Sequence, residues 1–257
     1  MEMHQNAQGL WASWQLAPQI LLPLALATYF YLKSYSVTRA QRIYFFSGIA
    51  SILAVVITPV DVRAFDYFSL HMVQHITLMM ISGPLLVLGT PKEFHPDNKF
   101  FKAATHPALS WILYATLMIG VHLPTPHNFI MSHPWAHTYL EVPLYIALPY
   151  FFYFNLLHRS LVNRRISPAM AVISLFLMMV PETLTGFFIY VSHGSLYNEM
   201  YTINDQRLGG SLMWSGAMII DTVWMAFAVY HWIKSEELKA HIVDAEIAAE
   251  GEAARGK

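Results

Sequence analysis

Long apolar stretches separated by short polar segments constrain the fold of this chain more than any other feature. Seven of them come close to the length of roughly 17–25 residues that a transmembrane helix needs. They are residues 17–32, 41–57, 68–88, 108–123, 142–157, 168–191 and 208–233. Charged residues make up only 12% of the chain, about half the usual share in a soluble protein. We therefore predict an all-α, multi-pass bundle of seven transmembrane helices, embedded in membrane lipid and with no nucleic-acid partner.

The basic residues indicate how this bundle is oriented. If the amino terminus is outside, 13 of the 15 lysines and arginines lie on the inner side, and only Arg63 and Arg207 lie outside. Such an asymmetry follows the positive-inside rule. We therefore predict an outer amino terminus, a single membrane domain over residues 1–233 and a cytoplasmic tail over 234–257. Interfacial tryptophans are expected at the outer boundary, namely Trp11, Trp14 and Trp135.

Two compositional features limit the chemistry of any site. The chain contains no cysteine, which excludes disulfides, zinc–thiolate sites and iron–sulfur clusters. It contains 13 histidines and 14 methionines, whose imidazole and thioether groups are ligands that suit copper(I). No basic segment precedes the first apolar stretch and no small-residue cleavage site follows it, so we expect no cleaved signal peptide.

The segment "HMVQHITLMM" places His71 and His75 inside the third apolar stretch. At 100° per residue, these two histidines and Met79 form one stripe on a helix, with Ser82 deeper on the same stripe. Histidine within a membrane span is rare and is usually functional. The alternative is that the imidazoles only form hydrogen bonds with neighbouring helices and that the methionines only fill the core.

Similar spacings occur in two other places. Met118 and His122 repeat the four-residue spacing on the fourth stretch, and His133 and His137 repeat it in the following outer segment, with Glu141 one turn further on. The alternative for that outer segment is a hydrated surface loop. The candidate metal ligands are His71, His75, Met72, Met79, His122, His133 and His137. Met72 is a candidate although it lies about 100° from the histidine stripe.

Two acidic residues lie within predicted spans. Glu182 follows Pro181 on the sixth stretch, and Asp221 lies near the middle of the seventh. An ionised carboxylate at that depth is unfavourable unless it faces a polar interior, a cation or a proton path. The alternative for each residue is a neutral carboxylic acid that is hydrogen-bonded across helices.

Two long motifs resemble the signature regions of the CtaG-type cytochrome c oxidase assembly factors. The first is "TPVDVRAFDYFSLHMVQHITLMMISGPLLVLGTP" and the second is "NDQRLGGSLMWSGAMI", preceded by Leu196, Tyr197 and Tyr201. The resemblance covers roughly residues 40–233. Two regions depart from the family pattern, since Glu141 stands where family members often have a histidine, and "FFYFNLLH" replaces a tryptophan-rich stretch.

This resemblance implies a seven-span protein of the bacterial inner membrane that acts without catalysis of its own. It implies copper(I) handling at the outer face and help in forming the copper centres of a haem–copper oxidase. The expected partners are oxidase subunits and periplasmic copper chaperones. In this reading Asp61 and Asp205 shape the outer mouth of the site, while Glu182 or Asp221 balances charge or relays protons.

Three other function classes remain open on the residues alone. A proton-coupled transporter could be built around Glu182 and Asp221. A haem-binding carrier could use His71 or His75 opposite His122. A membrane di-iron oxidoreductase would also use histidine pairs at this spacing, although such sites need roughly eight histidines and usually face the cytoplasm.

Overall fold

Helices form all the regular structure in the part of the chain that the computed structural model describes, residues 14–34, 36–94, 96–158 and 166–255. The first seven helices in chain order are α1 (Pro18–Ser34), α2 (Arg39–Val56), α3 (Pro59–Arg63), α4 (Phe68–Gly89), α5 (Lys99–Ala104), α6 (Pro107–Gly120) and α7 (Pro124–Ser132). They are followed by α8 (Pro134–Leu157), α9 (Pro168–Val191) and α10, which comprises Ile203–Ser211, Leu212–Gly216 and Ala217–Arg255. The predicted all-α class is thus confirmed for these residues.

Within the described residues, four helices are long and apolar enough to cross a membrane, namely α4, α8, α9 and the Ile203–Ile247 part of α10. A fifth span results if α6 and α7, which are bent by 77° relative to each other, are taken together. The first two predicted spans also form helices, but α1 has only 17 residues, about 26 Å in length, and α2 begins with Arg39 and Arg42. The total of seven spans therefore stays a prediction.

Several predicted boundaries move in the structure. The fourth predicted span, 108–123, ends early because α6 stops at Gly120 and the chain bends into α7. The outer segment before the fifth span is helical, because α8 already begins at Pro134. The last helix continues without a break past residue 233 to Arg255. Trp11, Arg159, Arg164 and Arg165, which entered the orientation argument, lie outside the described residues.

Helix α4 occupies the centre of the bundle. It packs against α2 on one side, α8 on another and the first part of α10 on a third. Its apolar sequence and three enclosing neighbours leave two thirds of its span buried, so the histidine segment lies in the protein interior. Helix α9 packs along α10 and against α6, which places Glu182 and Asp221 on neighbouring helices.

Small residues allow α9 and α10 to cross closely. A Cβ atom on Gly210 would lie 2.7 Å from the Tyr190 backbone nitrogen, and one on Gly186 would lie 2.6 Å from the Trp214 nitrogen. Neither position can carry a side chain without moving a backbone. Close contact of this kind is typical of helices packed through glycine in membranes.

In the described part of the chain, three π-helical turns interrupt the long helices. The first turn spans Thr77–Ser82 in α4, the second spans His137–Glu141 in α8, and the third spans Leu212–Gly216 in α10. Such turns are rare and often lie at functional sites. All three contain, or directly follow, histidines, methionines or an acid that the sequence singles out.

Candidate metal centre

Helices α4 and α8 bring two histidines and one glutamate together in the interior. The Nε2 atom of His75 lies 3.4 Å from Glu141 Oε1, and Nε2 of His71 lies 3.7 Å from the same oxygen. One potential ligand atom from each of the three residues lies within 4.8 Å of the others. Ligand atoms on one metal at bond lengths of about 2.0–2.1 Å are separated by about 3.3–3.6 Å in tetrahedral or trigonal geometry. The cluster is therefore close to the spacing that one metal ion requires.

The hydrogen bonding of His71 is incomplete. Its side chain is fully buried, yet neither ring nitrogen has a hydrogen-bond partner among the described residues. The same holds for Nε2 of His75. Buried polar groups are almost always paired, because an unpaired one costs about 1–3 kcal/mol. The Nε2 atoms of His71 and His75 face the Glu141 carboxylate, so a cation bound between these three residues would interact with all of them.

His137 connects this cluster to a second carboxylate. Its Nδ1 atom lies 2.7 Å from Glu141 Oε2, and its Nε2 atom lies 3.3 Å from Asp61 Oδ1. Ionised carboxylates only accept hydrogen bonds, so both ring nitrogens must carry a proton, as in an imidazolium. His137 therefore acts as a positively charged spacer that fixes Glu141 and leaves its other oxygen free to face His71 and His75.

Asp61 is held in place by amide side chains. Gln74 on α4 donates to Asp61 Oδ1 at 2.5 Å and to the Val55 carbonyl at 3.0 Å. Gln15 donates to the other carboxylate oxygen. The Tyr145 hydroxyl donates to Glu141 Oε1 at 3.2 Å, the same oxygen that faces His71 and His75. The carboxylates are thus oriented by neighbours, as is typical around metal-binding groups.

The net charge of the cluster favours a cation. Asp61 and Glu141 contribute two negative charges when ionised, and a doubly protonated His137 contributes one positive charge. With His71 and His75 neutral, as ligands must be, the buried cluster carries a net charge of about −1. A single uncompensated charge in a low-dielectric interior is strongly unfavourable, and a monovalent cation would neutralise it.

Tyr197 and Tyr201, which precede the second signature motif, pack around His127 next to the cluster. These three residues are called the roof of the cluster. The Tyr201 hydroxyl lies 3.1 Å from Nε2 of His127, whose ring lies 5.2 Å from that of His71. Tyr197 stacks near the same imidazole at 4.2 Å and donates to the His122 carbonyl at 3.1 Å. Burial raises the pKa of both tyrosines, so their hydroxyls stay protonated and can donate. His127 was not among the predicted ligands.

Asp205 connects this roof to α4. Its carboxylate accepts hydrogen bonds from the backbone nitrogen of Phe68 at 2.6 Å and from the Ser69 hydroxyl at 2.5 Å. An acid at the first turn satisfies otherwise unpaired backbone groups and interacts favourably with the helix dipole. Asp205 thereby fixes the start of the helix that carries His71, one turn away.

A small cavity lies below His75. Nδ1 of His75 lies 3.3 Å from Nε2 of His122, and both residues line a cavity of about 20 Å³. The other lining side chains are mainly thioethers and include Met72 and Met79. These two predicted methionine ligands therefore share a cavity with His75, which also belongs to the histidine–carboxylate cluster.

The remaining predicted residues have distinct surroundings. His133 is exposed, stacks on Phe129 at 4.4 Å and has Nδ1 2.8 Å from the Phe129 carbonyl, so it lies apart from the cluster. Glu182 lines the methionine cavity, and the Tyr114 hydroxyl donates to its Oε1 atom at 3.3 Å. Asp221 is buried beside Glu182, close enough for their charges to interact.

Glu141 is the central residue that sequence reasoning missed. The sequence predicts its place one turn after His137, on a possible helix face shared with His133 and His137, and marks it as a departure from the family pattern, but does not include it among the metal ligands. One signal could have identified it: an acid that begins a long apolar run, four residues after a histidine, is unfavourable within a membrane unless a cation compensates it.

Comparison with known proteins gives one family and one distant relative. The profile of the cytochrome c oxidase caa3 assembly factor family matches residues 25–235. An uncharacterized protein of Mycobacterium leprae is 22% identical over 204 residues, which cover 66% of this chain and 30% of that protein. The chain therefore aligns with less than a third of its relative's length. No solved structure matches this chain.

Proposed function

This chain belongs to the cytochrome c oxidase caa3 assembly factor family, and from that premise we propose that it binds copper(I) at the outer face of the bacterial inner membrane and assists copper-centre formation in a haem–copper oxidase. The observation that carries this proposal is the buried cluster of His71, His75 and Glu141, with unpaired imidazole nitrogens facing a carboxylate. The protein would hold copper as cargo and perform no catalysis of its own.

Charge and donor type support copper(I) in different ways. The cluster's net charge of about −1 matches a monovalent cation. Imidazole is a good ligand for copper but also for zinc, so the donors alone do not select the metal. Selection would come from charge balance and from the thioethers in the cavity below, which favour soft ions.

Direct measurement of copper(I) affinity tests the proposal. The protein would be purified in detergent under reducing conditions and titrated against a chromophoric copper(I) chelator. We expect tight binding by the wild type. His71→Ala and Glu141→Gln should each weaken it by more than the roughly 10–100-fold typical of losing a residue that only supports a ligand.

His133→Ala is the matched control, because this exposed histidine belongs to the same outer region but lies apart from the cluster. Its affinity should equal that of the wild type. Equal affinity in His71→Ala, Glu141→Gln and wild type would refute the site. Iron or haem in the purified protein would instead favour an oxidoreductase or an electron carrier.

The assembly role requires a test in cells. In a strain that lacks this protein, the purified oxidase should have a reduced ratio of copper to haem. Wild type and His133→Ala should restore this ratio, whereas His71→Ala should not. A normal copper content without the protein would show that it serves another step of assembly.

A further inference from the structure

We infer that the methionine cavity is a second binding site, specific for a soft monovalent cation, and that it lies directly beneath the histidine–carboxylate cluster. This inference rests on the proposed function for the identity of the cation, copper(I). It adds a separate site with different donors, so that the chain would hold two ions in series.

The lining of the cavity is the first argument. Eleven residues line it, and five of them are methionines: Met72, Met79, Met80, Met118 and Met213. All five are buried, and they come from α4, α6 and α10. Apolar packing alone has no need of methionine, whereas several thioether sulfurs around one small space form a ligand set for copper(I).

The size of the cavity is consistent with one small ion. Its volume is about 20 Å³, slightly more than the roughly 10–15 Å³ that a single water molecule requires. Water would find few polar partners among thioethers. A soft cation would bind to the same atoms directly, and flexible methionine side chains can adjust to it.

Two π turns contain methionines that line this cavity. Met79 and Met80 lie in the first π turn, and Met213 lies in the third. A π turn changes the direction of the side chains that follow and is retained mainly where function requires it. Because π turns in two different helices both contribute methionines to one cavity, we infer that these methionines have a function there.

A carboxylate supplies the compensating charge. Glu182 lines the cavity and is buried there. Asp221 lies beside it, close enough for the two carboxyl groups to interact. Acids inside a membrane bundle need a polar or charged partner, and a cation among the thioethers would be one.

His75 and His122 connect the two sites. His75 faces Glu141 through Nε2 and His122 through Nδ1, and both histidines also line the methionine cavity. An ion could therefore pass from nitrogen and oxygen donors to sulfur donors by exchanging ligands at one imidazole. The cavity extends from His75 and His122 to Glu182.

Copper(I) stoichiometry and sulfur scattering test the second site. Full-length protein in detergent would be loaded with copper(I) under reducing conditions and studied by copper K-edge X-ray absorption. The wild type should bind two copper(I) ions per chain and show copper–sulfur scattering. Met118→Leu/Met213→Leu preserves side-chain volume and should bind one ion, without sulfur scattering.

The matched control is Met131→Leu/Met178→Leu, which replaces two buried methionines that do not line the cavity. It should bind two ions and keep the sulfur signal. The single variant Met213→Leu, less disruptive to folding, should reduce the sulfur scattering. Sulfur scattering that persists in both Met213→Leu and the double variant would overturn the inference.

A further variant separates this inference from the proposed function. Glu141→Gln should remove the outer ion and leave the sulfur-bound one, because Glu141 does not line the methionine cavity. One ion with only nitrogen and oxygen scattering in wild type would refute the second site and leave the proposed function standing. A sulfur-bound ion with no effect of Glu141→Gln or His71→Ala would refute the outer site alone. Absence of copper(I) binding would refute both.

Discussion

Asp61 shows how a residue can control the cluster without belonging to its ligand set. Its carboxylate faces His137 at 3.3 Å, and His137 in turn fixes Glu141. Removing this charge leaves the imidazolium with a single carboxylate partner. Glu141 would then be more strongly engaged by His137 and less available to a bound ion.

Replacing Asp61 should therefore weaken metal binding without removing a ligand. We expect Asp61→Asn to lower copper(I) affinity by about 10–100-fold, the range typical of supporting residues, as measured by chelator competition. Asp66→Asn is the control, because the Asp66 side chain is exposed and pairs with Arg63 at 3.2 Å. Equal losses in both variants would contradict the role of Asp61.

A separate prediction concerns Tyr201 in the roof of the cluster. Tyr201→Phe removes the hydroxyl that contacts His127 and leaves a buried imidazole nitrogen unpaired. We expect a loss of about 1–3 kcal/mol of stability, seen as a lower melting temperature in detergent. Tyr139→Phe, at a position that is 61% exposed, should melt like the wild type.

At the scale of single residues, the sequence predicted that His71 and His75 lie on one face of their helix. The four-residue spacing of His71 and His75 on an apolar helix placed their rings side by side, and they lie 3.9 Å apart in the structure. The position of Glu141 could not be obtained in this way. The π turn changes the direction of the Glu141 side chain relative to an α-helical projection. The local residue types do not predict a π turn.

At the scale of helices, the second π turn determines the geometry of the metal centre. Deleting Thr138 would return His137–Glu141 to an α-helical path and change the angle between these two side chains about the helix axis. We expect helix content by circular dichroism to be unchanged and copper(I) binding to be strongly reduced. Thr138→Ala, which keeps the chain length, should bind like the wild type.

The crossing of α9 and α10 depends on glycine. Gly210→Ala would place a Cβ atom 2.7 Å from the Tyr190 backbone nitrogen, and overpacking of this kind typically costs about 1–3 kcal/mol. We expect a lower melting temperature in detergent. At Gly216, nothing lies within 4 Å of an added Cβ atom, so Gly216→Ala should be neutral or slightly stabilising. A stable Gly210→Ala protein would argue against close crossing.

Comparing the predicted spans with the observed helices explains which helix boundaries the sequence could predict. Apolar runs located every long helix, because hydrophobic length is a strong signal in membrane proteins. Residues 124–141 are predicted to be an outer segment, with a surface loop as the alternative to a helix starting at Pro134, since histidines, prolines and polar residues interrupt the apolar pattern. There the prolines begin α7 and α8 instead of ending a span, since each occupies the first turn of its helix, where proline is well tolerated.

At the scale of the whole molecule, the predicted orientation places the metal centre outside. The chain has no cysteine, so single cysteines can report on each side. Asp66→Cys lies in the exposed segment near Asp61, and Lys239→Cys lies in the exposed tail. In intact spheroplasts, a membrane-impermeant maleimide should label position 66 and leave 239 unlabelled until the cells are lysed. The reverse pattern would overturn the orientation and the outer-face proposal.

The three π turns also bear on how such a protein could have arisen. Each turn holds one residue more than the α-helical path it replaces, so a single inserted codon in the gene for a plain helical bundle is enough to create it. The flanking helices keep their packing, and only the side chains within the turn change direction. Binding chemistry of this kind can therefore be gained, altered or lost by one-codon insertions and deletions, while the scaffold is inherited almost unchanged.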